Sequence, residues 1–505
     1  MSKDFLLLSI AIPLVFGMSS IVFASGRTLA RPTPEQLAFM DLEVGAFVHF
    51  DLNIFTGEEH GNGRASPAMF NPDKLDAEQW VTAAKNLGAK YAVLTARHES
   101  GFCLWSTKTT EYSIANSRYK NGKGDIVREF VEACRKHGLK VGFYHTAMFD
   151  AHETMRGYKG EADFAHSWGP AWSASVANAF QSGGETFRER FEKVQVEQMT
   201  ELLSNYGEIS YIWCDHWNGT DRTWRAVTEV MRRLQPHCMM LGPDTWVPGN
   251  EDGRVVYPMW NAVNTVDGSI WSRPTVSGSD GTLANDYGLL EGDVLSGTPF
   301  GKFWRNRECP THNALYAGGW FWHSPGHPRE PRMRTLADHV NLYYRTVGLG
   351  ANVLINLPPD ATGLVPEYLT TAAKRLGDEI RSRFASPVAS STGIAPSDIA
   401  EVSWGNPTPV NTVILMENLS HGQKIARYTL EAMVNGRWQP LVPANRFDTK
   451  DPFNPNPGFE TVGHKKIDRI EPVTTNRIRF RCVKSAARPV ELRSIAVFLC
   501  PDLPK

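Results

Sequence analysis

Between residues 31 and 383 the chain alternates short apolar, β-like runs with amphipathic helical stretches, and this alternation restricts the possible folds more than any other feature. It predicts parallel strands covered by helices. About 350 residues of repeated βα units, without a G-x-G-x-x-G motif after the first strand, favour a (β/α)8 barrel over an open doubly wound sheet. Strands are predicted at 44–50, 91–95, 141–145, 211–214, 239–241 and 353–357, and helices at 76–88, 125–137, 185–205, 221–234 and 336–347.

The region from 388 to 505 has a different pattern, and a segment rich in helix breakers between residues 387 and 396 separates it from the barrel region. Turns are predicted at Gly436 and Asn476. No long helical run is visible there, so we expect a C-terminal β-sandwich. Alternating apolar and polar residues predict its strands at 412–415, 425–433, 438–442, 477–481 and 495–499.

Residues 1–24 have the pattern of a secretory signal peptide. A short polar start precedes an almost wholly apolar run from 5 to 23, and Val22 and Ala24 occupy the −3 and −1 positions of a cleavage site. The run approaches the length of a membrane-spanning helix, but Pro13 disfavours an uncleaved anchor. We expect cleavage after Ala24, a secreted or periplasmic protein, and no membrane partner once the signal is removed.

Charge and cysteine content exclude further classes. Lys and Arg number 53 against 54 Asp and Glu, so the chain has no basic excess with which to neutralise a nucleic-acid backbone. The seven cysteines are an odd number, without C-x-x-C or zinc-finger spacing, and most lie in apolar segments. They are expected to be buried thiols, although export would allow one or two disulfides.

Polar residues directly follow four successive predicted strands. In a barrel, catalytic side chains come from the carboxyl ends of the strands, where the βα loops enclose a cleft. One such histidine alone would be typical of a satisfied core residue, but four such positions on one rim indicate a functional site. These residues are His49 at the end of the first strand, His98 and Glu99 after the second, Tyr144 and His145 at the end of the third, and Asp215 at the end of the fourth.

Metal chemistry is the first alternative for this rim. His49 is not part of an H-x-H pair, the chain has no H-E-x-x-H motif, and the His98-Glu99 pair has no later ligand at helical spacing. The sequence therefore predicts neither a catalytic metal nor another cofactor.

A carboxylate pair fits the sequence better. Asp215 lies between Trp213 and Trp217 at an apolar strand end, where an aspartate is costly unless it has a function. Glu251 lies on a glycine-flanked loop beyond the next strand. A glycosidase needs two such groups, one that stays ionised and one that protonates the leaving oxygen. Spacing alone does not distinguish this pair from ordinary loop acids.

Several segments closely resemble the α-L-fucosidases of glycoside hydrolase family 29, and the similarity extends in order over about residues 35–370. The C-terminal region is similar to the carbohydrate-module-like domain of bacterial members. The resemblance implies a metal-free retaining exo-glycosidase that releases terminal α-L-fucose from oligo- or polysaccharides through a covalent glycosyl-enzyme. The segments are GAFVHF at 45–50, FNPDKLDAEQW at 70–80, KYAVLTARH at 90–98, GFCLWSTKTT at 101–110, GWFWH at 319–323 and GANVLINLPPD at 350–360.

The resemblance also assigns roles. Asp215 matches the family nucleophile, and Glu251 matches the acid/base of the branch that prefers α-1,3/1,4-linked fucose. Glu308, in the segment WRNREC, matches a family Trp-x-x-x-Glu segment and is a rival for the second carboxylate. The residues implied to surround the sugar are His49, Glu59, His60, His98, Glu99, Trp105, Tyr144, His145, Trp213, Glu308 and Trp320.

Three departures from the family pattern concern the sugar contacts. Glu99 and Ser100 replace a histidine and an aspartate, His60 replaces a tryptophan, and the nucleophile segment is Trp-Cys-Asp-His instead of Trp-Phe-Asp-Gly. These changes leave α-L-galactose, which adds a hydroxyl on C6, as an alternative sugar. A glycan-binding protein without turnover is a further alternative, which the presence of both Asp215 and Glu251 disfavours.

Overall fold

The computed structural model describes residues 28–147, 150–157, 170–215, 221–247, 251, 253–263, 297–312, 314–444 and 458–504. The predicted signal peptide and Trp217 lie outside the described residues. Within the described ranges, no helix combines the length and the apolar character needed to cross a membrane.

Eight parallel strands form one nearly closed sheet, which confirms the (β/α)8 barrel. Their order is β5-β4-β3-β2-β1-β12-β9-β6, and β1 pairs in parallel with both β2 and β12. The strands of this region are β1 Val44–Val48, β2 Tyr91–Arg97, β3 Lys140–His145, β4 Tyr211–Trp213, β5 Met239–Met240, β6 Thr245–Trp246, β7 Ala262–Val263, β8 Phe303–Trp304, β9 Asn306–Thr311, β10 Tyr316–Ala317, β11 Arg332–Met333 and β12 Asn352–Asn356.

Several helices around the barrel begin at a residue whose side chain caps the helix. The side chain of Asp76 accepts hydrogen bonds from the backbone of Glu78 and Gln79, and Gly88 ends the same helix at a φ of 95° that side-chain-bearing residues rarely adopt. The helices are α1 Pro34–Met40, α2 Asn53–Thr56, α3 Ala77–Leu87, α4 Ile126–His137, α5 Ala151–Gly157, α6 Pro170–Asn205, α7 Arg222–Leu234, α8 Leu336–Arg345 and α9 Glu367–Arg383.

Two barrel strands, β6 and β9, are absent from the sequence prediction. The strand β9 has the sequence NRECPT, whose polar residues do not suggest a strand, yet all six residues are buried. Its arginine and glutamate are tolerated because buried partners satisfy them. Arg307 donates to the Trp260 carbonyl, for example.

The C-terminal region is antiparallel and forms the expected β-sandwich. Its strand order is β13-β18-β14-β17-β15-β16, and register shifts interrupt the long strand β14. Two expectations are wrong. Residues 389–392, assigned to the breaker-rich link, form a strand, and Asn476 lies inside β17 instead of at a turn. The strands are β13 Ala389–Thr392, β14 Ile399–Glu417, β15 Ile425–Val434, β16 Arg437–Pro440, β17 Lys466–Ser485 and β18 Leu492–Phe498.

The sandwich packs against the amino-terminal end of the barrel. Lys465 forms an ion pair with Glu43, the residue before β1, and Ile467 contacts the turn that precedes β12. Ile414, Ile467 and Phe498 belong to the same hydrophobic core as the barrel residues. The sandwich therefore completes the barrel's apolar core at the end opposite the carboxyl rim.

All seven cysteines are buried and none of them is paired with another. The expectation of buried thiols is confirmed, and the structure contains no disulfide among these seven residues.

Deletion of residues 389–505 is expected to give an insoluble barrel, because it exposes the apolar surface that Ile467 and Phe498 cover. Sedimentation and size-exclusion chromatography of the full chain and of the shortened chain measure the soluble fraction of each. The full chain carrying Trp438→Ala, on the edge strand β16, is the control and should stay soluble. A soluble barrel with unchanged small-substrate kinetics but weaker polymer binding would instead make the sandwich a carbohydrate-binding module.

Candidate active site

The ends of β2, β3 and β4 bring three rings into one stack. The His98 imidazole lies 4.9 Å from the Tyr144 ring at an interplanar angle of 18°, and the Tyr144 ring lies 5.5 Å from that of Trp213 at 14°. The Tyr144 hydroxyl donates to Oδ2 of Asp215 over 2.9 Å. The stack thus fixes a hydrogen-bond donor on the carboxylate predicted to be the nucleophile.

His49, at the end of β1, is oriented by Asn356 at the end of β12. The amide of Asn356 donates to the Tyr316 hydroxyl and the Trp320 carbonyl, so its oxygen accepts from Nδ1 of His49 over 2.8 Å. Burial, with the neighbouring His98, lowers the pKa of His49 well below its ordinary value. The imidazole is therefore neutral, with its Nε2 lone pair available to accept a hydroxyl proton.

Trp320 connects His49 to the second predicted carboxylate. Its indole stacks on the His49 ring, with centroids 4.7 Å apart, and its Nε1 donates to Oε2 of Glu251 over 3.1 Å. Nε2 of His312 lies 3.7 Å from the same oxygen. Asp215 and Glu251 are therefore joined to one continuous aromatic lining through Tyr144 and Trp320.

Glu59 fixes the segment that carries Trp320. Its buried carboxylate accepts from the Trp320 backbone and from Nε2 of His323, the latter over 2.6 Å, and Arg329 lies 3.5 Å away. Burial alone would raise the pKa of Glu59, but the His323 hydrogen bond and nearby cationic groups lower it to about 2. A Cβ at Gly319 would lie 2.2 Å from Oε2 of Glu59, so this approach requires glycine.

The two departures His60 and Glu99 lie against each other. Nδ1 of His60 is 3.0 Å from Oε2 of Glu99, and the His60 ring is stacked 6.1 Å from that of His98. Among the described residues these three form the one cluster with metal-ligand geometry, with ligand atoms within 4.8 Å of one another. Two histidines and one carboxylate are a donor set that zinc accepts.

Ser100, the neighbouring departure, donates to Oδ2 of Asp51 over 2.8 Å. Burial raises the pKa of Asp51 to about 7, although the Ser100 hydrogen bond opposes that shift. Ser100 and Asp51 thus form a buried polar pair beside the cluster.

Glu308 lies away from the rim, in the barrel interior. It faces Asn352, the first residue of β12, whereas the rim residue Asn356 is the last. The Glu308 carboxyl is fully buried and accepts from the Tyr91 and Tyr211 hydroxyls and the Trp213 indole, and burial raises its pKa to about 7.

Trp105 and His145 also turn outward from the stack. The Trp105 indole donates to Glu201 on α6, and Nε2 of His145 lies 3.2 Å from the Gln198 side chain on the same helix. Both side chains are fully buried or nearly so. They connect the barrel to α6, and neither has a described contact with Asp215 or Glu251.

Three site residues were missed by the sequence analysis. Asn356 is the last residue of the buried strand β12, so the strand-end rule could have identified it. His312 follows β9, a strand that polar residues conceal. His323 lies in a loop, and only the folded structure brings it to Glu59.

An aromatic-lined pocket with separate carboxylates on the carboxyl rim of a (β/α)8 barrel is the arrangement of a glycoside hydrolase. Comparison with known proteins also indicates a glycoside hydrolase. The family model described as alpha-L-fucosidase matches residues 46–271. Alpha-L-fucosidase 1 of Arabidopsis thaliana is 27% identical over 495 residues, which cover 89% of this chain and 83% of that protein.

A solved structure gives the same result. A glycoside hydrolase 29 family member from an unknown rumen bacterium superposes with a TM-score of 0.73 at 28% identity, covering 95% of this chain and 79% of that one. The chain therefore resembles the α-L-fucosidases of glycoside hydrolase family 29, and these matches support its assignment to that family.

Glu59→Gln is expected to remove a pH-dependent part of the stability. A carboxylate whose pKa is lowered on folding, here from 4.5 to about 2, stabilises the fold above the unfolded pKa. That contribution is lost as pH falls through the folded pKa. The difference from wild type should be about 3 kcal/mol at pH 6 and roughly half of that at pH 3.

Chemical denaturation at several pH values measures the Glu59 effect. Glu58→Gln is the control, because the pKa of half-buried Glu58 is raised by burial and not lowered. A Glu59→Gln deficit that stays constant from pH 6 to pH 3 would contradict the assigned pKa.

Proposed function

We propose that this protein is a retaining exo-glycosidase that removes terminal α-L-fucosyl residues from glycans. The observation that carries the proposal is the Tyr144–Asp215 hydrogen bond inside the ring stack, with Glu251 bound to Trp320 in the same lining. Such a site has one oriented carboxylate, a second carboxylate and flat apolar walls. The family resemblance supplies the sugar class.

The proposed reaction has two steps. An oxygen of Asp215 attacks the anomeric carbon while Glu251 gives its proton to the departing glycosidic oxygen, which leaves a glycosyl ester on Asp215. Glu251 then takes a proton from water, whose oxygen attacks the same carbon and releases Asp215. Neutral His49 accepts a hydrogen bond from a sugar hydroxyl through its Nε2, and Trp320 packs on the sugar. No step needs a metal, so dialysis against EDTA should not change turnover.

We also propose that the protein is exported, on the basis of the signal-like residues 1–24. Amino-terminal sequencing of protein recovered outside the cytoplasm should then begin at Ser25. A start at Met1 would count against cleavage.

Asp215→Ala should abolish turnover and leave the fold intact, since a covalent route has no replacement nucleophile in this stack. Steady-state hydrolysis of an aryl α-L-fucoside measures the loss, and added azide should restore part of it by occupying the vacated space. An unchanged thermal midpoint is the control for folding. Activity within about tenfold of wild type would remove Asp215 from the nucleophile role.

Glu251→Gln should reduce hydrolysis of oligosaccharides far more than hydrolysis of activated aryl fucosides, because only the poor leaving groups need the proton. The ratio of kcat/KM for the two substrate types measures this. Glu308→Gln is the comparison variant. The Glu308 carboxyl is enclosed by three donors in the barrel interior, so its loss should affect both substrates evenly. The opposite pattern would transfer the acid role to Glu308.

α-L-Galactose is the second candidate sugar, and the His60–Glu99 pair favours it because polar groups suit a C6 hydroxyl. The two side chains also satisfy each other over 3.0 Å, which reduces the cost of placing them beside the methyl group of fucose. We therefore expect a higher kcat/KM for aryl α-L-fucoside than for aryl α-L-galactoside. A reversed ratio, with fucoside activity raised by Glu99→His, would favour the galactosidase.

A further inference from the structure

A groove of about 520 Å³ opens between α8 and α9 and extends from their first turns to Arg375 on the third turn of α9. These helices follow β9 and β12, so their first turns lie at the carboxyl end of the barrel, on the same face as the site. The groove adjoins the Trp320 segment, because the indole of Trp322 donates to the Tyr368 hydroxyl over 3.1 Å. Tyr368 is one of the groove's lining residues.

The lining of the groove combines cationic and flat apolar surface. Arg334 and Arg375 are both exposed, and neither forms an ion pair or a side-chain hydrogen bond with any residue that the structure describes. The Tyr368 ring is 40% exposed, and Met333 beside it is 43% exposed. One acidic residue, Glu367, lies in the same lining, and the charge of Arg334 also acts on the nearby Asp338 carboxyl.

His339 is an independent indication of a ligand in the groove. It is 3% exposed, its Nε2 lies 3.2 Å from the Leu315 carbonyl, and its Nδ1 has no hydrogen-bond partner in the described ranges. Burial lowers the pKa of His339, although the Leu315 hydrogen bond and the Asp338 carboxyl oppose that shift, and the charges of Arg375 and Arg334 add to it. Because a carbonyl only accepts, Nε2 of His339 carries the proton, and Nδ1 keeps a lone pair suited to a hydroxyl donor of a ligand. The two arginines beside it suit an anion.

The aromatic surface restricts the kind of anion. A free inorganic ion would need the arginines alone, whereas an exposed ring beside them provides a stacking surface for a sugar. Guanidinium groups bind carboxylates and sulfate-like oxyanions through paired hydrogen bonds. The occupant that uses both features is a sugar that carries an oxyanion. Such a sugar can belong to the same glycan whose terminal residue enters the site on this rim.

We propose that the groove binds an anionic sugar, bearing a sulfate ester or a uronate carboxylate, in the part of the glycan beyond the sugar that is removed. This inference rests on the proposed function and deepens it. The protein then acts preferentially on fucosylated glycans that carry negative charge outside the terminal residue.

The first experiment compares kcat/KM for a neutral fucosylated oligosaccharide and for its sulfated and uronate-containing counterparts. Wild type should prefer at least one anionic substrate about tenfold, and Arg334→Gln and Arg375→Gln should each remove most of that preference. Lys374→Gln is the matched control, since Lys374 precedes Arg375 on α9 and already pairs with Asp378. Equal rates on neutral and anionic substrates, or a preference that both arginine variants retain, would overturn the proposal.

A second measurement separates this inference from the proposed reaction. Calorimetric titration with a sulfated oligosaccharide and with a uronate oligosaccharide, neither containing fucose, should show binding to wild type that the double arginine variant lacks. The stronger ligand identifies the anion. Hydrolysis of aryl α-L-fucoside should be the same in wild type and in all three single variants. If wild type does not hydrolyse aryl α-L-fucoside, the proposed reaction is wrong but the proposed anion site is not affected. If calorimetry detects no binding to wild type, the proposed anion site is wrong.

Discussion

The indole of Trp320 stacks on His49 while its Nε1 donates to Glu251, and the candidate site depends on this one placement. Two buried polar side chains enforce it. Glu59 accepts from the Trp320 backbone, and Asn356 donates to the Trp320 carbonyl. A loop residue anchored at both its N–H and its C=O behaves as part of the barrel, which gives the pocket wall the rigidity that a catalytic geometry needs.

The strand-end residues could be predicted because they obey a local rule. An apolar run followed by a polar residue marks the rim of a parallel barrel, and this rule predicts His49, His98, Tyr144 and Asp215 on one face. The ring stack from His98 through Tyr144 to Trp213 follows directly from neighbouring strands in register. The resemblance to a known family supplied the roles of Asp215 and Glu251, which spacing alone could not assign.

The rest could not be predicted, because it depends on contacts between segments far apart in the chain. β9 is a fully buried strand of polar residues, and only the partners of Arg307 and Glu308 explain why such a strand is stable inside a barrel. The family resemblance predicts that Glu308 lies near the cleft, whereas the structure places its carboxyl in the barrel interior. His323 and Glu59 are separated by more than two hundred residues, and no local pattern records their contact.

The His60–Glu99 contact joins two departures from the family pattern into one interacting pair. With only one of the two departures, Glu99 would face the family tryptophan at position 60 and lack a partner. Likewise, His60 would face the family histidine at position 99 and gain no compensating charge. Placed 3.0 Å apart, each side chain compensates the other. Residues in such contact are not expected to contribute independently, so neither position describes the pocket without its partner.

The position of the sandwich behind the barrel has a consequence for access. Because it covers the amino-terminal end, Lys465 and Ile467 lie on the side facing away from the pocket, and the described part of the carboxyl rim remains uncovered by the second domain. A glycan end that enters the pocket from the carboxyl side therefore does not have to pass the sandwich. Length in the glycan beyond the pocket is limited by the rim loops and not by the second domain.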